Sequence, residues 1–553
     1  MSAPFTAGLN RRIDQRRIPG LNRLYADYLY DFGRVAELYN APPPFDLEAL
    51  SAAAGQVEYP AGRRQAMAAL LERQNRAWAP AGRLPEATAA HLREFAAPST
   101  VAVITGQQVG LLGGPLMGLH KAMAAVLLSE QLRSRGVPTV PVFWMATQDH
   151  DLAEIDHAWV LDAAAEPRRL QGNLGPSHEA PVGPLRLSAA ITGLIEEMAR
   201  CTGADAAALA DVQASYRPGV TLADAFASLF ARWFAPWGLI VFDPLQAPEA
   251  AAVWAPVYRE VLDRQPELAQ RLSTRAQQLT AAGYHVQVEQ TAAATMLFLH
   301  RDGARLGLRR RLDATAGSAE PLLLGERPLA LGAAQDWIAE HPDCVSPSAL
   351  LRPYLQNLVF PTVAQVTGPS ETAYLAQTAV LYPELGSHPP VTHPRATATL
   401  LDPKSQRLMR KHGLDLEQIW TEPIEELLAR RALPAGIDRQ IGAMRTTFDR
   451  EFETLTRDLK TLDPTLVDAT GAAVQKIHHQ LEQLETRVAR SFARRSDEAG
   501  AQARYLAGHL FPRRTLQERL LSAAGWAARY PDLLPLLHHH LDPLTPDHQV
   551  IDL

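Results

Sequence analysis

Cysteine is nearly absent from this chain, and its scarcity excludes several kinds of site. Only Cys201 and Cys344 occur among 553 residues, too few for a disulfide framework or a four-thiolate zinc site. Disulfides belong to oxidising compartments. We therefore expect a reducing, cytoplasmic location, with both cysteines structural.

Long apolar runs and an excess of one charge are also missing. The most apolar window, residues 110–128, is interrupted by His120 and Lys121, and the opening residues lack the apolar middle of a signal peptide. The formal net charge is only -6, which gives no electrostatic argument for nucleic acid. The basic run RLGLRRRLD (305–313) is interpreted as a solvated strand edge. We expect neither a membrane nor nucleic acid as partner.

Buried strands are what the sequence does contain. Hydrophobic residues make up 47% of the chain and charged residues 21%, as in globular multi-domain proteins. A helical stretch, 120–133, separates the first two of four apolar, β-branched runs. These runs span residues 101–106, 139–146, 238–244 and 361–369. The pattern predicts an α/β fold with a Rossmann-like core of parallel strands.

Segments that break this rhythm define the predicted domains. We predict a core over 1–414 with insertions near 163–235 and 284–345, the second containing a hairpin turn at Asp302-Gly303. A coiled-coil arm over 415–510 and a C-terminal segment, 511–553, that packs back on the core complete the chain. The arm is predicted from two apolar stripes, within each of which successive apolar residues lie alternately three and four positions apart. The first stripe is Phe448, Phe452, Leu455, Leu459 and Leu462, and the second is Val474, Ile477, Leu481, Leu484 and Val488.

A glycine-rich loop follows the first strand. Ligands of open parallel sheets bind beyond the carboxyl ends of the strands, and glycines let backbone N–H groups approach an anion. The spacing fits neither G-x-G-x-x-G nor the phosphate loop. We predict an anion site here; the alternative is a tight turn before a helix with solvent-facing His120 and Lys121. The candidate residues are Thr105, Gly106, Gln107, Gln108, Gly113, Gly114, His120 and Lys121.

The second strand, with Trp144 as a candidate binding residue, leads into the polar cluster TQDHDLAEIDH (147–157). If a helix begins near Asp149, then Asp149 and Asp151 lie in its first turn, and Glu154 shares a face with His150 and with His157. Such groups bind an amine, orient a general base or hold a divalent ion. The alternative is one capping aspartate and a solvated face, the interpretation we favour for Asp156.

The fourth strand repeats the first one's ending. Thr367-Gly368 precedes Pro369 and a helix predicted to begin near Ser370-Glu371. Glu371 and Tyr374 lie three residues apart, so both can face one crevice. Capping by Ser370 and a core position for Tyr374 are the alternatives.

Four motifs and their order resemble one known family. ITGQQVGLLGGPLMGLHKA, VPVFWMATQDHDLAEIDH, LRPYLQNLVFPTVAQVTGPSETAYLAQ and LFPRRTLQERLLS are similar to the BshC family, assigned as cysteine ligases of bacillithiol biosynthesis. The opening stretch IPGLNRLYADYLYDF resembles it too. One loop departs: FPRRTLQER has two arginines where relatives commonly show Asn-Gly.

The resemblance implies a core related to class I aminoacyl-tRNA synthetases, with connecting-peptide insertions, a coiled-coil domain and a homodimer. It implies addition of L-cysteine to the amine of glucosaminyl malate. A carboxylate needs activation before it acylates an amine, so we expect ATP or another nucleotide and a cysteinyl-adenylate; whether a metal assists is open. No clear lysine signature of the synthetase type occurs, and Lys404-Ser405 matches it only weakly.

In this hypothesis, residues of the first two strand ends act on the activated cysteine. His120 and the Gly113-Gly114 backbone stabilise phosphoryl charge, Lys121 assists, and Asp149 or Asp151 holds the amine. The residues alone leave two alternatives open. One is a metal-dependent hydrolase using Asp149, His150, Asp151 and His157, and the other is a non-catalytic dimeric scaffold that binds a regulatory nucleotide.

Overall fold

The computed structural model describes residues 11–175, 180–313, 320–431, 435–463, 465–493 and 497–553. Its strands are β1 (Arg11–Ile13), β2 (Val101–Gln107), β3 (Thr139–Met145), β4 (His157–Leu161), β5 (Pro167–Gln171), β6 (Ile240–Phe242), β7 (Ala294–Arg301), β8 (Ala304–Arg310), β9 (Leu322–Leu324), β10 (Arg327–Leu329), β11 (Val345–Pro347), β12 (Thr362–Thr367), β13 (Val391–Pro394), β14 (Ala398–Leu401) and β15 (His548–Asp552).

The α-helices surround these strands. They are α1 (Arg23–Tyr30), α2 (Ala36–Tyr39), α3 (Leu47–Ala54), α4 (Ala61–Trp78), α5 (Glu86–Phe95), α6 (Leu116–Ser134), α7 (Leu152–Ile155), α8 (Ala190–Thr202), α9 (Ala210–Ser215), α10 (Leu222–Trp233), α11 (Pro248–Asp263), α12 (Gln265–Ala281), α13 (Leu331–Glu340), α14 (Arg352–Val359), α15 (Pro369–Thr378), α16 (Leu381–Glu384), α17 (Pro403–His412), α18 (Leu416–Thr421), α19 (Ile424–Arg431), α20 (Ala435–Leu462), α21 (Leu466–Ala493), α22 (Asp497–Leu510), α23 (Gln517–Leu520), α24 (Ala523–Arg529) and α25 (Leu533–His540). In the described residues, none of these helices is both long and apolar enough to cross a membrane.

The central sheet is parallel, with strand order β13-β12-β2-β3-β6. All four predicted core strands lie in it, so that prediction is confirmed; the sequence analysis missed β13, whose run VTHP is only four residues long. After β2 the chain continues to β3 on one side, and after β12 to β13 on the other. The order of strands therefore reverses between β2 and β12, where a crevice opens beyond their carboxyl ends.

Apolar side chains cover both faces of this sheet, as a parallel sheet requires. Successive residues of β2 point to opposite faces. Val103 packs in one buried cluster with Phe143 and residues of α6 and α10, while Ile104 packs in another with Trp144 and residues of α11. The crossover helix α6 is buried along nearly all its length.

An antiparallel sheet of order β10-β9-β8-β7-β11 lies within the second predicted insertion. The hairpin turn predicted at Asp302-Gly303 is confirmed, since both residues have positive φ, 54° and 79°, between β7 and β8. Asn, Asp and Gly tolerate this left-handed conformation best.

The two apolar stripes form consecutive long helices, α20 and α21, that pack against each other. On α20 the half-buried Phe452 and Leu459 alternate with exposed Phe448, Leu455 and Leu462. The hairpin therefore leaves one apolar stripe of α20 uncovered by the described residues.

Residues after 510 return to the rest of the chain. Strand β15 lies between β1 and β14, antiparallel to the first and parallel to the second. Ser522 forms a bridge with Pro115, directly before α6. The domain limits at 414 and 510 stay predictions.

Candidate functional site

A cavity of about 570 Å³ opens at the switch point between β2 and β12. Nine of the predicted site residues line it: Gly106, Gln107, Gln108, Lys121, Trp144, Asp149, Gly368, Glu371 and Tyr374. The first two strand ends and the fourth therefore converge on one site. Seven predicted residues lie outside the lining: Thr105, Gly113, Gly114, His120, His150, Asp151 and Thr367.

Lys121 and Glu371 form a buried ion pair in the cavity wall. The Lys121 ammonium also donates to the carbonyl oxygen of Gly106 and to Gln107 Oε1, each at 2.9 Å. Burial lowers the pKa of Lys121, and the opposing charge of Glu371 limits this effect. A lysine held this way is an oriented cation at the strand ends.

Glu371 also organises the start of α15. Gly368 is the N-cap, and its N–H donates to Glu371 Oε2 at 2.8 Å. The helix begins at Pro369, one residue before the predicted start, so the alternative in which Ser370 caps it is wrong, and the exposed Ser370 lines the cavity. Tyr374 is half-buried and accepts from Arg352 Nη2 at 2.7 Å, and burial raises its pKa.

Asp149 reaches the cavity from the loop between β3 and α7. Its carboxylate accepts from Gln108 Nε2 at 2.6 Å and from the His150 N–H at 2.7 Å. The helix predicted near Asp149 begins only at Leu152 and lasts four residues. The carboxylate is therefore free of helix capping and turns toward Gln108.

The rest of the polar cluster is divided, since Glu154 lines the cavity whereas His150, Asp151 and His157 do not. Asp151 is the exposed N-cap of α7 and accepts from Glu154 N–H at 3.4 Å. The shared face of Glu154 and His157 is wrong, because α7 ends at Ile155 and His157 begins β4. His150 contacts Arg305, whose Nη1 is 2.9 Å from His150 Nδ1.

Thr105 and Thr367 stabilise the sheet and do not reach the cavity. Both are fully buried. Thr105 Oγ1 donates to the Val366 carbonyl at 3.0 Å, and Thr367 Oγ1 lies 2.9 Å from Thr372 Oγ1. In both Thr-Gly pairs the glycine lines the cavity, whereas the threonine connects neighbouring elements.

The glycine loop faces protein, which corrects the prediction that its backbone is exposed to a ligand. Residues 111–114 are buried. The Gly113 N–H donates to Tyr216 Oη at 2.9 Å, and Gly114 O accepts from the Ala523 N–H at 2.8 Å. A Cβ on Gly110 would lie 2.7 Å from Gly114 Cα. These glycines permit close packing, and the loop offers no phosphate cradle.

His120 is likewise directed away from the cavity. It has no exposed surface, and its Nδ1 lies 2.9 Å from Glu518 Oε2. Nε2 has no hydrogen-bond partner in the described structure. The predicted contact of His120 with a phosphoryl group gains no support from this position, and the solvent-facing alternative is wrong.

Four arginines complete the cavity, and the sequence analysis missed them as site residues. They are Arg305, Arg352, Arg395 and Arg519. The basic run starting at 305 had been interpreted as a solvated edge, and this is wrong for its first residue. Arg305 is half-buried, donates to Ser346 Oγ and the Pro347 carbonyl at 2.9 and 2.8 Å, and stacks 3.8 Å from the Phe298 ring centroid. Burial lowers its pKa to about 10.

The lining is therefore positively charged. Five cationic side chains face three carboxylates, those of Asp149, Glu154 and Glu371, an excess of two positive charges. Arginine suits carboxylates and phosphates because its planar fork can donate two parallel hydrogen bonds. The cavity can hold a small anionic ligand, and Asp149 provides a hydrogen-bond acceptor for an amine.

The structure supports neither the synthetase-type lysine nor the metal site as part of this cavity. Lys404 stacks with its Nζ 3.7 Å from the Tyr505 ring centroid and is outside the cavity lining. Across the part of the chain that the structure describes, no group of three or more His, Cys, Asp or Glu side chains is placed to hold a metal. The hydrolase alternative thus has no ligand set in Asp149, His150, Asp151 and His157.

Comparison with known proteins gives matches along nearly the whole chain. A family model for the N-terminal Rossmann-like domain of the bacillithiol biosynthesis protein BshC matches residues 12–396, and one for its C-terminal coiled-coil domain matches 398–553. Curated proteins named "Putative cysteine ligase BshC" are similar over most or nearly all of their length. The Solibacter usitatus protein is 35% identical, covering 98% of this chain and 99% of the relative.

Two further relatives carry the same name. The Koribacter versatilis protein is 34% identical, over 97% of this chain and 98% of its own. The Thermus thermophilus protein is 29% identical, over 82% and 90%. The similarity therefore includes both the residues that line the cavity and the helical arm.

Proposed function

Since the chain belongs to the BshC family of cysteine ligases in bacillithiol biosynthesis, we propose that it joins L-cysteine to the amine of glucosaminyl malate. The observation that carries this proposal is the positively charged cavity at the switch point, with Asp149 at its edge. Glucosaminyl malate has two carboxylates and one amine, and cysteine has a carboxylate, so both substrates match the lining.

Amide formation from a free carboxylate requires activation. We propose that ATP or another nucleotide supplies this activation, which replaces a poor leaving group on cysteine by a good one. The excess positive charge of the cavity supports binding of such a polyanion. The buried glycine loop does not hold it, so Lys121, Arg305 and Arg352 are the groups we assign to the anionic ligands.

The residues of the cavity then have separate tasks. Lys121, fixed by three acceptors, stabilises negative charge that develops on the reacting carboxyl group. Asp149 binds the amine of glucosamine and orients it for attack, because its carboxylate lies at the cavity edge. Glu371 maintains the charged state of Lys121 and orients it.

The arrangement also supports a relation to class I aminoacyl-tRNA synthetases. The central strands occur in the doubly wound order expected for such a core, and the two long connections, from β3 to β6 and from β6 to β12, correspond to the proposed connecting-peptide insertions. The second of these connections contains the antiparallel sheet that supplies Arg305.

We further propose a homodimer formed by the arm. Ile437, Met444, Phe448, Leu455 and Leu462 on α20 are large apolar side chains that are 36% to 80% exposed. Their spacings of seven, four, seven and seven residues place them on one stripe of the helix. A stripe of this kind is typical of a helix that packs against a second chain. Leu455→Glu with Leu462→Glu should yield a monomer in sedimentation, whereas Thr454→Glu should not.

The decisive experiment is mass-spectrometric detection of the ligated product from cysteine and glucosaminyl malate, with and without ATP. Asp149→Asn and Lys121→Met should each abolish most product. Asp156→Asn, a matched change in the same cluster but outside the cavity, should not. Product without ATP would refute the nucleotide proposal. The absence of product with each of the nucleoside triphosphates would refute the ligase proposal.

A further inference from the structure

Glu518 is a buried carboxylate behind the cavity. It lies on α23 and is 1% exposed. It accepts from Arg395 Nη2 at 2.5 Å and from the Ala398 N–H at 3.1 Å, and its Oε2 lies 2.9 Å from His120 Nδ1. One side chain therefore contacts the crossover helix α6, the end of β13 and the start of β14.

The surroundings of Glu518 keep it ionised. Burial alone would raise the pKa of Glu518, but the charge of Arg395 and the hydrogen bonds from His120 and Arg395 outweigh burial and hold that pKa well below its ordinary range. A buried ion pair of this type is weak evidence for stability, because desolvation offsets most of the attraction. A role in fixing the position of Arg395 accounts for the pair better than stability does.

Arg395 stands between two cavities. A second cavity of about 520 Å³ adjoins the first, and both are lined by Pro369, Ser370, Arg395 and Arg519. Arg395 is 4% exposed, and its Nη1 makes only a long contact, 3.5 Å, to the Ala396 carbonyl. Its Nε has no partner in the described structure. The guanidinium is thus held by Glu518 through Nη2, while Nη1 and Nε can still donate to a ligand.

Besides the shared Arg395 and Arg519, the second cavity is lined by one further arginine, Arg514, and by the carboxylate of Glu518. Arg514 and Arg519 line it, and within the described residues neither forms an ion pair with a carboxylate. The first cavity already has an excess of positive charge. A ligand that extends across the wall would therefore pass Arg395 with its negatively charged end toward Arg519 and Arg514.

We propose that Glu518 is a positioning residue that holds Arg395 in the shared wall, where the guanidinium binds a carboxylate of the malyl group. This rests on the proposed function, since it places the two ends of glucosaminyl malate: the amine near Asp149 and the malyl carboxylates near Arg395 and Arg519. Arg395 falls within the Rossmann-like match and Glu518 within the coiled-coil match. The C-terminal domain therefore completes a subsite of the N-terminal one.

The test compares Glu518→Gln and Glu518→Asp with Ser522→Ala in the full-length protein. Ser522 is an equally buried residue of the same segment, which donates to the Leu112 carbonyl at 3.1 Å and lines neither cavity. Steady-state kinetics give KM for each substrate separately. Calorimetric binding of L-malate gives an affinity that does not depend on turnover.

We expect Glu518→Gln to raise KM for glucosaminyl malate and weaken malate binding by about tenfold or more, as the loss of a charge-assisted contact implies. KM for cysteine should change less than about threefold, Glu518→Asp should recover part of the loss, and Ser522→Ala should change neither constant.

Other outcomes overturn the proposal. Unchanged KM for glucosaminyl malate and unchanged malate affinity in Glu518→Gln would make the ion pair merely structural. An equal loss in Ser522→Ala would assign the effect to the segment and not to Glu518. If the wild-type protein makes no product, the proposed function fails, but malate calorimetry on wild type and Glu518→Asp still decides whether Glu518 supports a carboxylate site. If Glu518→Gln does not fold, Glu518→Asp and Arg395→Lys provide the same comparison.

Discussion

Replacing Glu371 by glutamine should destabilise the protein by leaving Lys121 charged without its partner. Lys121 is 3% exposed, and the Glu371 side chain is 18% exposed. Removing one partner of a buried pair costs about 3–5 kcal/mol. The hydrogen bonds from Lys121 to Gly106 and Gln107 remain, so we expect the lower end, about 3 kcal/mol. Glutamine can still accept from the Gly368 N–H, which keeps the helix cap intact.

The loss should shrink as the pH rises. Burial lowers the pKa of Lys121 below its ordinary value of 10.5, and loss of the Glu371 charge lowers it further. Between the folded-state and unfolded-state pKa values, the unfolded chain binds more protons, so stability rises with pH in that window. Below the folded-state pKa the full penalty of the buried ammonium is present. This pH range begins at a lower pH in the variant, because the folded-state pKa of Lys121 is lower there. The difference in free energy of unfolding between wild type and variant therefore decreases as the pH approaches 10.

Urea unfolding at pH 7 and pH 9.5 checks both statements. The midpoint of Glu371→Gln should be lower than that of wild type at pH 7 and closer to it at pH 9.5. The double variant Lys121→Met, Glu371→Gln should recover most of the stability, because it removes the buried ammonium that Glu371→Gln alone leaves without a counter-charge. A deficit of equal size at both pH values, or none at pH 7, would refute the description of Lys121 as a buried cation held by Glu371.

Three further predictions concern other parts of the structure. Arg305→Lys keeps the charge but loses the guanidinium fork that contacts Ser346 and Pro347, so kcat/KM for ligation should fall about tenfold or more. The surface control Arg301→Lys should leave kcat/KM unchanged. Gly110→Ala places a Cβ 2.7 Å from Gly114 Cα and should lower the free energy of unfolding by about 1–3 kcal/mol in thermal unfolding. Gly193→Ala, at an exposed position of α8 with no atom near the added Cβ, should be neutral or stabilising in the same assay. Burial lowers the pKa values of His300, His509 and His548 to about 4. As the pH falls from 6.5 toward 4 the unfolded chain takes up protons first, so each histidine should lower the free energy of unfolding by up to about 1.4 kcal/mol per pH unit. His548→Gln should make this decline with pH less steep, and an unchanged dependence of the free energy of unfolding on pH would contradict the assignment.

The sequence predicted the strands and the hairpin turn because their signals are local. Apolar β-branched runs identified four of the five central strands, and Asp302-Gly303 identified the turn. The one central strand that was missed, β13, has the sequence VTHP and lacks an apolar run, which the shorter strand β6 (IVF) has. Local signals also placed Gly106, Asp149 and Gly368 near strand ends, where parallel strands bring them together.

The sequence could not decide which side of a fully buried helix faces the site. His120 and Lys121 are adjacent on α6, so they point about 100° apart, and neither faces solvent. A helix that is buried all round lacks the amphipathic pattern that would separate its faces. The pairing of Lys121 with Glu371, 250 residues away, has no local signal either, and the same holds for Arg395 and Glu518.

The C-terminal segment closes the back of the site, which explains why the glycine loop is buried. Leu116 N–H donates to the Leu521 carbonyl at 2.9 Å, and Ala523 N–H donates to the Gly114 carbonyl at 2.8 Å. Gly110, Gly113 and Gly114 let the two chain segments approach this closely. Without residues 398–553, these backbone groups and Arg395 would lose their partners, and buried polar groups without partners are costly. A fragment of residues 12–396 should therefore show faster amide hydrogen exchange at 109–122 than the full chain, whereas 139–145 in the sheet should stay protected. Equal protection at 109–122 in both proteins would show that the N-terminal domain builds this wall alone.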